Sequence, residues 1–238
     1  MAHLEGDERA AYVRQMFGRI AGRYDLMNRL MTFGQDRRWR RYAVQQAALP
    51  PAGRLLDVAT GTGDIAFEAL RQHPGAAVVG ADFSTEMMRV GRARAGGERV
   101  TWVNGDALAL PFADASFDAV SSGYLMRNVV DVPGAFREQV RVVKPGGRVV
   151  ALDTSPPPRS ALRPFILLHL RAVIPLLGRL VAGDASAYTY LPESTQAFKT
   201  PEELARIMRG VGLVNVRYRR FMFGTMAVHT GTRPEETV

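Results

Sequence analysis

The sequence predicts an α/β fold, a doubly wound and mostly parallel sheet closed by an antiparallel hairpin. Three observations predict it. Between Pro50 and Asp153 short apolar runs alternate with helix-like stretches, the pattern of βαβ units. A glycine-rich turn, "ATGTGD", follows the first run and opens a helix. Near the end two β-rich runs, "LVNVRYRRF" and "FGTMAVHTG", stand side by side with little more than Gly224 between them, so they read as a hairpin.

The elements follow in order. The first strand is "RLLDVA" from Arg54, the second "AVVGAD" from Ala77 and the third "VTWVN" from Val100. The fourth is "FDAVSSG" from Phe117 and the fifth "GRVVALD" from Gly147. Helices are predicted over Asp64 to Gln72, Thr85 to Ala95 and Gly134 to Val143, the last stopped by the proline and glycines of "KPGG". After the linker "TSPPPRS" comes an apolar, arginine-studded segment from Ala161 to Ala182, then a helix from Pro201 to Val211 and the hairpin. The whole reads as one domain over residues 1–238, with a helical N-terminal cover (1–50), a core (51–153), an insertion or lid (154–200) and a closing helix and hairpin (201–238).

Composition narrows the function. With 47% hydrophobic and 23% charged residues the chain is of ordinary globular type. It has no cysteine, which removes disulfides, thiolate metal sites and cysteine nucleophiles and fits a reducing cytoplasm. The N-terminus carries acids and lacks the apolar core of a signal peptide. In the stretch from Ala161 to Ala182, Arg163, Arg171 and Arg179 argue against a membrane-spanning helix, because a charge near the bilayer centre costs about 2.5–3.5 kcal/mol. That segment is expected to cover something. The net charge of +8 is concentrated there and between Arg206 and Arg220, which suits a solvated surface or an anionic membrane. No nucleic-acid motif accompanies it.

Asp57 ends the first strand, and Gly61, Thr62 and Gly63 form the turn where a ligand needs to approach bare backbone. Because Gly61, Gly63 and Ala66 also fit the dinucleotide fingerprint, a nicotinamide or flavin oxidoreductase is the rival reading. Asp82, nineteen positions after Gly63 and followed by Phe83, ends the second strand, where a carboxylate accepts ribose hydroxyls for either cofactor. Charge separates the two. A pyrophosphate wants bare amides, whereas a sulfonium amino acid brings an ammonium group that wants acids, and Asp57 and Asp64 flank the turn. Asp106 and Ala107 follow the third strand, placed for an adenine ring. These positions together point to S-adenosylmethionine, converted to S-adenosylhomocysteine.

Three separated segments carry a resemblance: "MFGRIAGRYDLMNRLMTFGQDRRWRR" from Met16, "YLMRNVVD" from Tyr124 and "AGDASAYTYLPES" from Ala182. With the ending "FGTMAVHTG", they resemble the ubiquinone/menaquinone biosynthesis C-methyltransferase family over nearly the whole chain. The resemblance implies the class I methyltransferase fold, Rossmann-like, with seven strands and the last inserted antiparallel. It implies C-methylation of a reduced polyprenyl quinone, demethylmenaquinol first, with a benzoquinol or another small molecule as alternatives. The segment "SSGYLMRN" departs from the family's usual phenylalanine-glycine-leucine, and Gly123 stands where many members have serine.

Ring-carbon methylation needs a phenolate-like acceptor, an oriented donor and exclusion of water, and requires no metal. The resemblance implies that Arg127 and Asn128 face the substrate. Arginine keeps its proton at neutral pH, so Arg127 is assigned to phenolate binding or to holding a water that Asn128 also orients. Tyr24, Tyr188 and Tyr190 are expected at the substrate, and His229 is expected to be structural. The expected partners are a polyprenyl quinol, an anionic membrane surface touched from the cytoplasm, and a second copy in a homodimer.

Overall fold

The computed structural model describes residues 6–182 and 185–235. Gly183 and Asp184, within the third resemblance segment, lie outside it. Seven strands form one sheet in the order β3-β2-β1-β4-β5-β7-β6. They are β1 (Arg54–Val58), β2 (Ala77–Asp82), β3 (Val100–Asn104), β4 (Phe117–Gly123), β5 (Val143–Thr154), β6 (Val214–Phe221) and β7 (Met226–Thr232). β1 to β5 run parallel, while β7 lies antiparallel between β5 and β6. The chain winds outward from β1 to β3 and then returns to place β4 beside β1. That reversal opens a crevice beyond the carboxyl ends of β1 and β4, where doubly wound sheets hold ligands.

The central strands are apolar throughout because both faces are covered. Leu55 and Leu56 are adjacent and fully buried, yet they enter different cores, since successive strand residues point to opposite faces. On one face α3 (Asp36–Ala47) and α4 (Asp64–Gln72) pack against Leu55, Ala119 and Val150. On the other, α6 (Val132–Val142) and the closing helix Pro201–Gly210 pack against Leu56, Val120 and Val149. α1 (Gly6–Ile20), α2 (Tyr24–Thr32) and α5 (Thr85–Arg92) complete the helices before the insertion.

The closing helix begins with a capping box: the Thr200 hydroxyl accepts from the Glu203 amide at 3.3 Å, and the Glu203 carboxylate accepts from the Thr200 amide at 2.7 Å. Thr200→Ala is expected to cost about 1 kcal/mol, read as a lower urea midpoint at unchanged slope. His229 is buried in β7, its Nε2 3.0 Å from the Pro201 carbonyl, and burial lowers its pKa. It ties the last strand to the closing helix.

One expectation needs correction. The sequence "KPGG" does not end α6, which stops at Val142; it forms the irregular start of β5, where the pairing jumps from Phe117↔Val143 to Ala119↔Arg148. The insertion is helical from Arg163 to Val181, through both of its prolines. Pro164 sits in the first turn, where its missing amide is not needed. Pro175 has no N–H for the Arg171 carbonyl, and the turn His169–Val173 widens to π geometry there.

This 19-residue helix has a mean hydropathy of 1.6, long and apolar enough by those measures to cross a membrane. It nevertheless packs on the domain, with Leu170 and Ile174 buried against Met27 and Met31 of α2 and Tyr188 of the returning helix Ala185–Ala197. Gly178 lets those two helices touch, because a Cβ there would strike Tyr188.

Candidate active site

Two chambers adjoin at the carboxyl edge of the sheet. The first is built around the β1–α4 turn. Gly63 adopts φ 87°, and a Cβ on it would lie 2.6 Å from Trp102, so both its conformation and its surroundings demand glycine. Asp57 is buried at the end of β1, accepting from Thr60 Oγ1 at 2.8 Å and from Ser121 Oγ at 3.1 Å. Asp82 is buried at the end of β2, accepting from the Gly61 amide at 2.7 Å and the Ser84 amide at 2.8 Å. Burial, with no cation in contact, pushes Asp57 up to about 7 and Asp82 to about 6, against these hydrogen bonds. The β1–α4 turn therefore lies between two carboxylates that make no ion pair among the described residues, with Arg14 acting on Asp82 only from a distance.

A bound ammonium and a pair of hydroxyl donors would satisfy that arrangement, since each carboxylate keeps unused lone pairs. A pyrophosphate would add negative charge to it. The chamber therefore fits S-adenosylmethionine and not a dinucleotide. Asp64 does not share this role, a correction to the sequence reading. It sits in the first turn of α4, where Arg40 at 3.0 Å and Arg94 at 2.7 Å neutralise it. Arg94 also reaches Asp25 of α2 at 3.1 Å, and Asp25 accepts from Thr62 Oγ1 at 2.7 Å. This chain of charges fastens the N-terminal helices over the turn, leaving Thr62 only its backbone for a ligand.

Phe83, Asp106, Ala107 and Gly123 also line the first chamber. Asp106 is exposed and spends one oxygen on the Leu108 amide at 2.9 Å. Gly123 has no side chain to offer, and a Cβ there would press on Ile65. Tyr24, expected at the substrate, lines this chamber instead; burial raises its hydroxyl pKa, with Asn28 and the nearby Arg127 and Arg40 opposing the rise.

The second chamber, of about 330 Å³, is apolar and lies between α2, the insertion helix, the returning helix and the turn at Met222–Gly224. Tyr124 lines both chambers. It adopts φ 59°, and its ring stands between two guanidinium groups, Arg40 at 5.9 Å and Arg127 at 5.0 Å.

Arg127 lines the second chamber and Asn128 the first. Arg127 is paired with buried Asp153 at 2.6 Å; burial works against its charge, and Asp153 more than offsets it. Asp131, four residues along the chain from Arg127, caps α6 and pairs with Arg137. Asn128 donates to the Tyr124 carbonyl at 2.7 Å and accepts from Tyr190 at 3.1 Å. Tyr190 and Tyr188 line neither chamber; both are buried among the N-terminal and insertion helices. Sequence reasoning missed Arg40, whose burial is signalled only by its i,i+4 spacing from Asp36, and it missed the two-sided position of Tyr124.

A sheet of this order, with an antiparallel last strand and a glycine turn set between two buried carboxylates, defines the class of an S-adenosylmethionine-dependent methyltransferase. Solved structures share the fold. The methyltransferase solved with the Haloferax volcanii activator Trm112 superimposes with a TM-score of 0.66 at 18% identity, covering 92% of this chain and 98% of that one. A Thermotoga maritima methyltransferase gives 0.63 at 22% identity, covering 92% and 98%. The sequence places the chain more narrowly. Residues 5–233 match the ubiE/COQ5 methyltransferase family, and the chain belongs to it. It is 51% identical to a ubiquinone/menaquinone biosynthesis C-methyltransferase of Desulfotalea psychrophila over 93% of this chain and 90% of that one. It is 48% identical to a demethylmenaquinone methyltransferase of Thermus thermophilus over 92% and 100%, and 46% identical to one of Roseiflexus castenholzii over 95% of each.

Proposed function

We propose that the chain transfers a methyl group from S-adenosylmethionine to a ring carbon of a reduced polyprenyl quinone, with demethylmenaquinol as the acceptor. The observation that carries this reading is the pair of chambers meeting at Tyr124, one lined by acids and glycines, the other apolar. In this reading Asp57 receives the donor's ammonium, Asp82 its ribose and Asp106 its adenine. The backbone of Gly61, Thr62, Gly63, Ala107 and Gly123 and the ring of Phe83 complete the cradle. When bound, the donor supplies an activated sulfonium methyl. The chain's own work is to hold the acceptor ring in line, keep water out and stabilise oxyanion charge. Arg127, fixed by Asp153, faces that oxyanion. Asn128 and Tyr124 hold the wall through which the methyl passes, and Tyr24 closes the donor side. The test is transfer of labelled methyl to anaerobically reduced demethylmenaquinone and to a prenylated benzoquinol. Transfer to the naphthoquinol at the higher kcat/KM supports the reading; preference for the benzoquinol assigns the chain to that branch.

A polyprenyl tail also needs an exit. Phe33, Leu162, Phe165 and Phe223 line the second chamber and are 76, 45, 70 and 70% exposed, an apolar rim of the kind that favours an interaction surface. Arg163 borders it. In our reading this rim rests on the bilayer surface and admits the ring while the tail stays in lipid. Replacing Phe33, Phe165 and Phe223 together with serine is expected to lower binding to anionic vesicles at least tenfold, since each buried phenylalanine contributes about 1.5–3 kcal/mol. Equal co-sedimentation of variant and parent contradicts it.

A further inference from the structure

The proposed reaction, on which this inference rests, needs a group that removes a proton from the acceptor's hydroxyl. Arg127 holds its proton because Asp153 stabilises the charge. Burial raises the pKa of Tyr24 and of Tyr124, so both hydroxyls also stay protonated. Asp153 is committed to Arg127, and no carboxylate lines the second chamber among the described residues. One lining side chain carries a basic lone pair. His169, on the widened turn of the insertion helix, has Nε2 3.1 Å from the Met31 carbonyl oxygen. A carbonyl only accepts, so the ring's proton is on Nε2 and its lone pair is on Nδ1. Fixing one nitrogen of an imidazole by a backbone carbonyl is how the other is kept available for chemistry.

We propose that His169 is the general base of the reaction. Nδ1 takes the acceptor's hydroxyl proton as the ring carbon ortho to it attacks the donor's methyl. The carbon–carbon bond forms while the carbon–sulfur bond breaks, its electron pair remaining on sulfur, and the acceptor oxygen becomes a carbonyl. Loss of the hydrogen on the methylated carbon to water restores the aromatic ring, and the imidazolium returns its proton to the oxygen. One proton is released per methyl transferred.

The groups around His169 suit this role. Phe33 stacks at 5.7 Å on the α2 side. Pro192 and Thr195 line the chamber from the returning helix, and Phe223 and Thr225 from the hairpin turn. The cations nearby are Arg127 across the chamber and, on its own helix, Arg163 and Arg171, the latter bonded to Gln196 at 2.9 Å. None of these lining groups is a carboxylate.

His169→Gln separates a chemical from a structural role, because the glutamine amide nitrogen keeps the Nε2 donor for Met31 and removes the basic lone pair. Full-length variant and parent are compared for methyl transfer to reduced demethylmenaquinone between pH 6 and 9, with cofactor binding followed by calorimetry. We expect kcat to fall by about 10²–10³-fold, with KM and cofactor affinity within about threefold of the parent. The variant's rate should climb about tenfold per pH unit as hydroxide replaces the lost base, more steeply than the parent's. A variant with parental kcat and pH profile overturns the proposal. So does loss of cofactor binding in both His169→Gln and His169→Asn, which makes the residue structural. A parent that transfers methyl to no quinol overturns the quinol reading itself, and this role with it.

Discussion

Asp57→Asn and Asp82→Asn should each give a protein that melts higher and no longer holds its cofactor. Both carboxyls titrate above their ordinary range near 4, Asp57 at about 7 and Asp82 at about 6, because they are buried without a cation. The folded state thus binds their protons more tightly than the unfolded state does. Stability of the cofactor-free protein is therefore greatest below about pH 4 as far as these groups are concerned, and falls as pH rises through 6 and 7. At pH 7 each ionised carboxylate costs on the order of 3 kcal/mol, which an amide avoids. With hydrogen bonds partly lost, a net gain of about 2 kcal/mol is expected, a rise of roughly 4–8 °C at this chain length. Cofactor affinity should fall about 10²-fold or more in each variant, the worth of one or two charge-assisted hydrogen bonds. In the parent, affinity should rise with pH from about 5 to 8, because the ligand's donors need the ionised carboxylates. Calorimetry at four pH values and a melting curve check all three statements.

The second large effect lies at Arg127. Removing one member of a buried ion pair leaves the other uncompensated, so Arg127→Met is expected to cost about 3–5 kcal/mol. Asp153 would then face apolar neighbours with only the amides of Arg127 and Thr154 as donors, at 3.2 and 2.8 Å. Adding Asp153→Asn removes the stranded charge while keeping an acceptor for those amides, and the double variant should recover most of the loss. Activity should not recover. Urea midpoints that follow this order, with methyl transfer at least 10²-fold down in the single and double variants alike, separate the folding role from the oxyanion role.

Much of this was legible in the sequence where local pattern and tertiary surroundings agree. The apolar runs of β1 to β4 are continuous because the sheet is covered on both faces, and their ends at Asp57, Asp82 and Gly123 fall where the crevice opens. The start of β5 was hidden because "KPGG" carries a stop signal that the strand absorbs as an irregularity. Pro175 hid the continuity of the insertion helix in the same way, through a turn wide enough to spare a lost hydrogen bond. The second chamber was not legible at all. Its wall comes from segments as distant as Asn28, Tyr124, His169 and Thr225, and spacing along the chain says nothing about such a meeting. Proximity in sequence also misled: Arg127 and Asn128 are neighbours whose side chains serve different chambers, while Tyr188 and Tyr190 went to a helical core.

The central claim is that the methyl group lands on a ring carbon of a reduced quinone, and the chemical nature of the product tests it most directly. Purified protein is given labelled S-adenosylmethionine and anaerobically reduced demethylmenaquinone, and the isolated product is exposed to oxygen. A labelled product that oxidises to a quinone is expected, because both hydroxyls remain free after carbon methylation. A labelled product that resists oxidation is an oxygen ether, and it would contradict the account, as would full cofactor binding with no label in the quinol.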